Sequence, residues 1–349
     1  MQFSKNGQLP SNLMQLNKLH LANIPHFCHS TFRTFFCFKF FLRPQNLLYV
    51  YSMENSKTEN QQVFEKIAVA VAFSPRIEAI LAQAKELQKI FDSHLIFIHV
   101  GEHTLQQEQY LTHLLHRFGL DLPHNKIVWV KGEPVEAILA ICQKEQVDLL
   151  VAGALEKESI LKYVMGSVAR KLSRRVKCSM LMLTEPSIKP NGFKNIVVEG
   201  TDHPKTENTI SVAIALAKAY RAQELNIIQE SDPAKLAIIR SDELLEHEAE
   251  QHKDKIQKEE DEKIEEILRC SDCGELQIKL KRIEGKPGYV ITQFARENAA
   301  DLLVLNSPDR KMNILDRVFP HDIEHALADL PCNLLIVNPK KDEDDNEAQ

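Results

Sequence analysis

The chain has 349 residues, 44% of them hydrophobic and 26% charged, with a formal net charge of −6. That length exceeds what one ordinary core serves and points to two domains, while the acidic balance excludes nucleic acid as the main partner. The seven scattered cysteines suit a reducing compartment better than a disulfide framework.

Residues 1–52 contain no Asp or Glu yet hold eight of the 16 Phe. Removing their five Lys/Arg leaves the rest of the chain at −11. The run Phe32–Leu42 is interrupted by Arg33 and Lys39, so it supplies neither a membrane span of roughly 18 residues nor a signal-peptide core. Residues 1–60 are read as a non-domain extension, disordered or upstream of a true start at Met53. An organelle transit peptide is the alternative.

From there the pattern alternates. Lys66–Ala72 is a buried strand, and Phe73-Ser74-Pro75 opens a helix through Phe91. His94–Val100 is a second strand, Thr104–Phe118 a helix, and Lys126–Lys131 a third strand. Gly132-Glu133-Pro134 starts a helix reaching Lys144. Val147–Ala152 is the fourth strand. A long loop then opens at Gly153, a helix begins at Gly166-Ser167, and Ser179–Leu183 is the fifth strand. Uninterrupted apolar strands between amphipathic helices indicate an α/β fold, a parallel sheet covered on both faces. Pro and Gly mark residues 186–193 as a linker, after which the pattern restarts at Asn195–Glu199, Thr206–Ala222 and Glu224–Gln229.

The restart is a repeat. Gly132-Glu-Pro134 and Asp148-Leu-Leu-Val151 recur as Gly285-Lys-Pro287 and Asp301-Leu-Leu-Val304 at an offset of 153. Cys178–Leu183 recurs as Cys332–Val337 at 154. The expected domains are 64–185 and 194–339, with a charged tail at 340–349. The second copy departs at Ala234–Leu268, which reads as one extended, mostly exposed helix with i,i+4 charge pairs and sparse apolar positions at Ile256, Ile264, Ile267 and Leu268.

Four stretches, KIAVAVAFSP, HLIFIHV, VKGEP…VDLLVAGA and MGSVARKLSRRVKCSMLML, resemble the universal stress protein family, as a tandem two-domain member spanning about Phe64–Pro339. The resemblance implies two five-stranded parallel sheets of Rossmann-like, adenine nucleotide alpha hydrolase-like type, and a cytoplasmic stress-response role. It also implies ATP held at the carboxyl ends of the first and fourth strands. The family signature G-x2-G-x9-G-[ST], with an Asp ending strand one, maps onto Gly153, Glu156, Gly166, Ser167 and Ala72, with Val71 and Ser74 around the last. Glycines let backbone approach phosphate, and a helix N-terminus favours an anion. Glu156 replaces a glycine, and a unit charge about 5 Å from a phosphate costs roughly 1–3 kcal/mol. Ala72 removes a hydrogen-bonding acid. In the second copy the signature positions become Asn306, Asp309 and Pro320-His321, and Asp202 is read as a surface turn residue. The implied cofactor is therefore Mg-ATP, weakly held or lost, in the first copy alone.

Other motifs read as structure. Cys270–Cys273 is a lone CxxC, His321 and His325 lack a third ligand, and His99–His103 has one residue too many for HxGH. No catalytic constellation is visible, so an ATPase is the least favoured reading. The alternative to nucleotide sensing is an interaction module using the paired domains and helix 234–268 to recruit a protein. No membrane partner is expected. By the same resemblance, the fifth strands pair within the chain as a pseudo-dimer; whether two chains associate further is not legible.

Overall fold

Apolar runs become strands and amphipathic runs become helices in a computed structural model that describes residues 48–49, 63–157, 162–164, 166–231, 246–308 and 323–339. In chain order the elements are β1 (Leu48–Tyr49), β2 (Lys66–Ala70), α1 (Ile77–Phe91), β3 (His94–Val100), α2 (Leu105–Arg117), β4 (Lys126–Val130) and α3 (Pro134–Lys144). Next come β5 (Leu149–Gly153), β6 (Leu155–Lys157), β7 (Lys162–Val164), α4 (Ser167–Arg175) and β8 (Ser179–Leu183). The second copy supplies β9 (Asn195–Glu199), α5 (Thr206–Ala219), β10 (Glu224–Ser231) and α6 (Glu246–Cys270). It continues with β11 (Ile278–Glu284), α7 (Tyr289–Glu297), β12 (Leu302–Asn306), α8 (Ile323–Ala328) and β13 (Asn333–Val337).

Eleven strands form one sheet in the order β1-β11-β10-β9-β12-β13-β8-β5-β2-β3-β4. Each copy contributes five parallel strands with the same crossover: β4-β3-β2-β5-β8 and β11-β10-β9-β12-β13. They meet where β8 pairs antiparallel with β13, Leu181 opposite Leu335. Side chains alternate across that seam as strand geometry requires. Leu181, Leu183, Leu335 and Val337 enter one core layer, with residues of α1, α2, α5 and α6. Met180, Met182, Leu334 and Ile336 enter the other, with residues of α3, α4, α7 and α8. Both cores run through both copies.

The repeat now has physical causes. Asp148 Oδ2 accepts the backbone N–H groups of Glu65 and Lys66, each at 2.9 Å, and Asp301 Oδ2 accepts those of Lys194 and Asn195, each at 2.8 Å. In each copy the Asp before the fourth strand thus clamps the start of the first. Gly132 and Gly285 sit at φ 135° and 150°, a region that disfavours side chains.

Four features differ from the sequence reading or extend it. The long loop after Gly153 folds into the hairpin β6–β7, with Leu155 opposite Val164 and Glu156 opposite Tyr163, because its backbone groups find partners in each other. Leu48–Tyr49, within the extension read as lying outside the domains, pairs antiparallel with β11, whose outer edge would otherwise stay unpaired. The long helix is described as Glu246–Cys270; residues 232–245 and the tail lie outside the described residues. Nor is α6 free along its length. Ile264 and Leu268 are buried, Arg282 donates to Glu260, Asp261 and the Gln257 carbonyl, and Lys263 pairs with Asp202 at 2.9 Å. The i,i+4 pairs Lys255–Glu259 and Lys258–Glu262 lie along its exposed side.

Candidate functional site

The crossover in each copy splays the strands at their carboxyl ends, the position where open α/β sheets hold ligands. In the first copy Val69 pairs with Val151, so Val71 and Ala72 leave β2 beside Gly153. Val71 is buried; its N–H donates to Ile98 O (2.9 Å), and its carbonyl lies 3.0 Å from His99 Nδ1. Ala72 is exposed, and its carbonyl accepts Ser74 N–H at 2.8 Å. Ser74 in turn accepts Ile77 N–H at 3.1 Å and so sets the start of α1.

The β6–β7 hairpin returns the chain to its own base, which brings Gly166 and Ser167 back towards Gly153. Gly166 is the N-cap of α4, and Ser167 is the first helical residue rather than the cap. With no side chain at the cap to fold back, the first-turn N–H groups keep the anion-attracting character of a helix N-terminus. Glu156 stands one residue up the hairpin from its base pair, opposite Tyr163, and its side chain lies outside the described residues. Gly153 carries a packing constraint as well, because a Cβ there would come within 3.2 Å of Ile80 Cδ1.

Sequence reasoning missed the cation of this crevice. Arg76 Nη1 donates to the carbonyls of Ala154 (3.1 Å) and Thr184 (3.3 Å), the two chain positions that leave β5 and β8. In the second copy Lys205 Nζ donates to Ser307 O (2.7 Å) and Pro308 O (3.3 Å). The signal was present: Pro75-Arg76 and Pro204-Lys205 follow the two first strands at the same offset of 129.

Pairing registers align the copies. Ile67 and Ile196 pair with Leu149 and Leu302, and His94 and Glu224 pair with Lys66 and Asn195. Ala70 thus corresponds to Glu199, Val100 to Glu230, and Gly153 to Asn306. The Glu199 carboxylate accepts Asn306 N–H (2.8 Å) and Thr201 Oγ1–H (2.7 Å). Asn306 Oδ1 accepts Thr209 Oγ1–H at 2.6 Å, and its Nδ2 donates to Thr206 Oγ1 at 3.2 Å. Glu230 accepts the N–H groups of Gly288 (2.9 Å) and Ile291 (3.0 Å), which caps α7. In the first copy that job falls to Glu133, which accepts Glu136 N–H at 2.9 Å. Where the strand ends of the first crevice are uncharged and lie beside Arg76, those of the second hold two carboxylates and a side-chain amide beside Lys205. Asp202 lies outside it, on Lys263; Asp309, Pro320 and His321 are outside the described residues.

A model of the universal stress protein family matches residues 101–184 and again 192–338. The chain belongs to this family. It is a tandem universal stress protein, two copies of one unit in a single sheet. A functionally unknown protein from Pseudomonas aeruginosa PAO1 shares its fold at 18% identity, with 80% of this chain and 94% of that one covered and a TM-score of 0.58. A putative universal stress protein from Pseudomonas aeruginosa UCBPP-PA14 gives 18%, 79%, 94% and 0.58. A universal stress protein from Archaeoglobus fulgidus DSM 4304 gives 13%, 78%, 98% and 0.54. No curated protein matches the chain.

Cys270 is exposed while Cys273 is buried, its thiol pushed up to about 11 by burial and by Asp272. His325 packs edge-on against Tyr289 with ring centroids 6.2 Å apart. Among the described residues no group of three His, Cys, Asp or Glu could hold a metal ion, and no helix is long and apolar enough to cross a membrane.

Proposed function

We propose that this universal stress protein is a cytoplasmic, non-catalytic stress-response factor whose first copy alone binds an adenine nucleotide, weakly. One observation carries the reading: the crevice floor is Ala70, Val100 and Gly153 in the first copy but Glu199, Glu230 and Asn306 in the second. A phosphate entering the first meets no carboxylate from the strand ends. It meets the guanidinium of Arg76 and the uncapped start of α4, both of which favour an anion. Entering the second it meets Lys205 in the place of Arg76 but also two carboxylates, each a repulsion of roughly 1–3 kcal/mol per unit charge at about 5 Å.

Ala72 explains why affinity is low, because no acid is present there to hydrogen-bond the nucleoside. ATP would place its phosphates at Gly153, Gly166 and Ser167, with Val71, Ala72 and Ser74 at the nucleoside end; any magnesium would travel with the phosphates. The five described cysteines are free thiols, which supports a reducing compartment.

Titration calorimetry of the protein with Mg-ATP tests this. Saturable binding to one site, abolished by Gly166→Pro, is expected. No heat at millimolar ATP rejects nucleotide binding.

A second reading, protein recruitment, draws on α6, which at 25 residues outruns its counterpart α2 at 13. At about 1.5 Å per residue the surplus is roughly 18 Å of helix. Partner recovery from lysate with and without residues 246–257 tests it. Unchanged recovery removes α6 from consideration. In either reading the paired copies act as an intramolecular dimer.

A further inference from the structure

We propose that the outer face of α4 is a docking surface whose occupant is the chain's own acidic segment, residues 342–347. In a chain of net charge −6, residues 170–177 hold five Lys/Arg and no acid. Lys171, Arg174 and Arg175 stand at i, i+3 and i+4 and so share one helix face. With Lys177 they are exposed, while Ala169, Leu172 and Ser173 face the core. Glu136 of α3 takes Arg175 in a two-point ion pair; Lys171 and Lys177 form no ion pair among the described residues.

The fold does not demand this charge. At the offset of 154 that aligns the copies here, Lys171, Arg174, Arg175 and Lys177 become His325, Ala328, Asp329 and Pro331, and α8 packs into the same core layer without them. Cations in a last helical turn suit the helix dipole, but that accounts only for Arg174 and Arg175. Lys171 lies mid-helix, and Lys177 lies beyond the C-cap Val176.

The seam brings the occupant to this surface. β13 runs antiparallel to β8, with Ile336 opposite Met180, so its last residues reach the start of β8, next to the end of α4. Asn338 Nδ2 donates to Cys178 O at 2.8 Å, and Asn338 N–H donates to Ser179 Oγ at 3.2 Å. The chain therefore leaves the sheet one residue from Lys177. Beyond Pro339 come Lys340 and Lys341, which act as a spacer, then Asp342, Glu343, Asp344, Asp345 and Glu347, five acids in six residues. At up to roughly 3.5 Å per extended residue the first acid reaches about 10 Å from Pro339 and the last about 28 Å. All of α4 is only about 14 Å long. Other undescribed stretches fit less well: residues 309–322 balance three acids with three bases, and residues 232–245 lead into α6 on the opposite core layer. The surface lies towards the end of α4 away from Gly166, so the proposal does not rest on nucleotide binding.

Backbone amide relaxation NMR on the full chain tests it. At about 10 mM salt, where the Debye length is about 30 Å, residues 342–347 should show order parameters above about 0.6, the boundary of flexible backbone. At about 1 M salt, with a Debye length of about 3 Å, they should fall below it. The double substitution Lys171→Glu, Lys177→Glu should release the segment at low salt while leaving the melting temperature unchanged, since both side chains are exposed. Asp344→Asn with Asp345→Asn should weaken docking from the other side without touching the core. A segment flexible at low salt, or order unaffected by salt or by either pair of substitutions, overturns the proposal. So does order that appears only as the sedimentation coefficient rises with concentration, because the occupant is then the segment of a second copy.

Discussion

The two copies share a strand order, an Asp clamp and a cation after the first strand, yet their crevices have opposite character. In the first, small uncharged residues end the strands and Arg76 spans two carbonyls. In the second, Glu199 and Asn306 are knitted into α5 and β12 while Glu230 caps α7. Duplication preserved what closes the sheet and released what lines the crevice. The reason is energetic: the clamp and the strands serve a core common to both copies, whereas a change at the strand ends is confined to one crevice.

The sharpest way to break this comparison is at the seam. Leu335 is 1% exposed and faces Leu181, so Leu335→Ala should cost about 2–5 kcal/mol. Because both cores cross the seam, urea unfolding of the wild type should follow a single transition. Two separate transitions would show that the copies fold as independent domains.

The two cations separate shared from private roles. Arg76→Ala and Lys205→Ala each remove charged hydrogen bonds to carbonyls, worth about 1.5–3 kcal/mol. Both should lower the melting temperature, but only Arg76→Ala should also weaken Mg-ATP in calorimetry. Equal loss of nucleotide from both variants would mean the copies are functionally alike.

Transplanting one residue tests the crevice floor. Ala70→Glu installs in the first copy the carboxylate that Glu199 supplies to the second. Nucleotide affinity should fall about 5- to 150-fold, the equivalent of roughly 1–3 kcal/mol. Unchanged affinity would place the phosphates elsewhere.

The smallest expected effect concerns thiols. Cys142 and Cys178 of the first copy are buried, Cys270 of the second is exposed, and burial pushes Cys332 up to about 12. Among the described cysteines, iodoacetamide at pH 8 should label Cys270 first. Cys273, pushed up to about 11, is on the order of 10⁻³ thiolate there and should lag about 100-fold or more, gaining as pH rises. Peptide mass spectrometry reads the order, and similar rates at Cys270 and Cys273 would reopen the CxxC as a redox pair.

The strands were legible because a sheet buried on both faces demands unbroken apolar runs, and KIAVA, HLIFIHV and SMLML are such runs. Gly132 and Gly285 were legible as a repeat, though only their φ angles say why glycine is needed. Gly153, Gly166 and Ser167 could be found by spacing. Their neighbour Arg76 was missed although Pro75-Arg76 and Pro204-Lys205 repeat at an offset of 129, because only the fold shows that each cation reaches the carbonyls leaving the fourth strand of its copy.

By itself, then, the sequence determined the strand pattern, the duplication and the loss of the glycine signature from the second copy, all local properties of residue type and spacing. Only the tertiary structure decided that the two sheets are one, that the loop after Gly153 is a hairpin, and that Glu199 and Glu230 share a crevice. The seam and the shared crevice depend on residues tens to hundreds of positions apart, and the hairpin on local pairs such as Leu155 with Val164; all are set by strand edges and backbone groups seeking partners, which leave no mark on the apolar pattern.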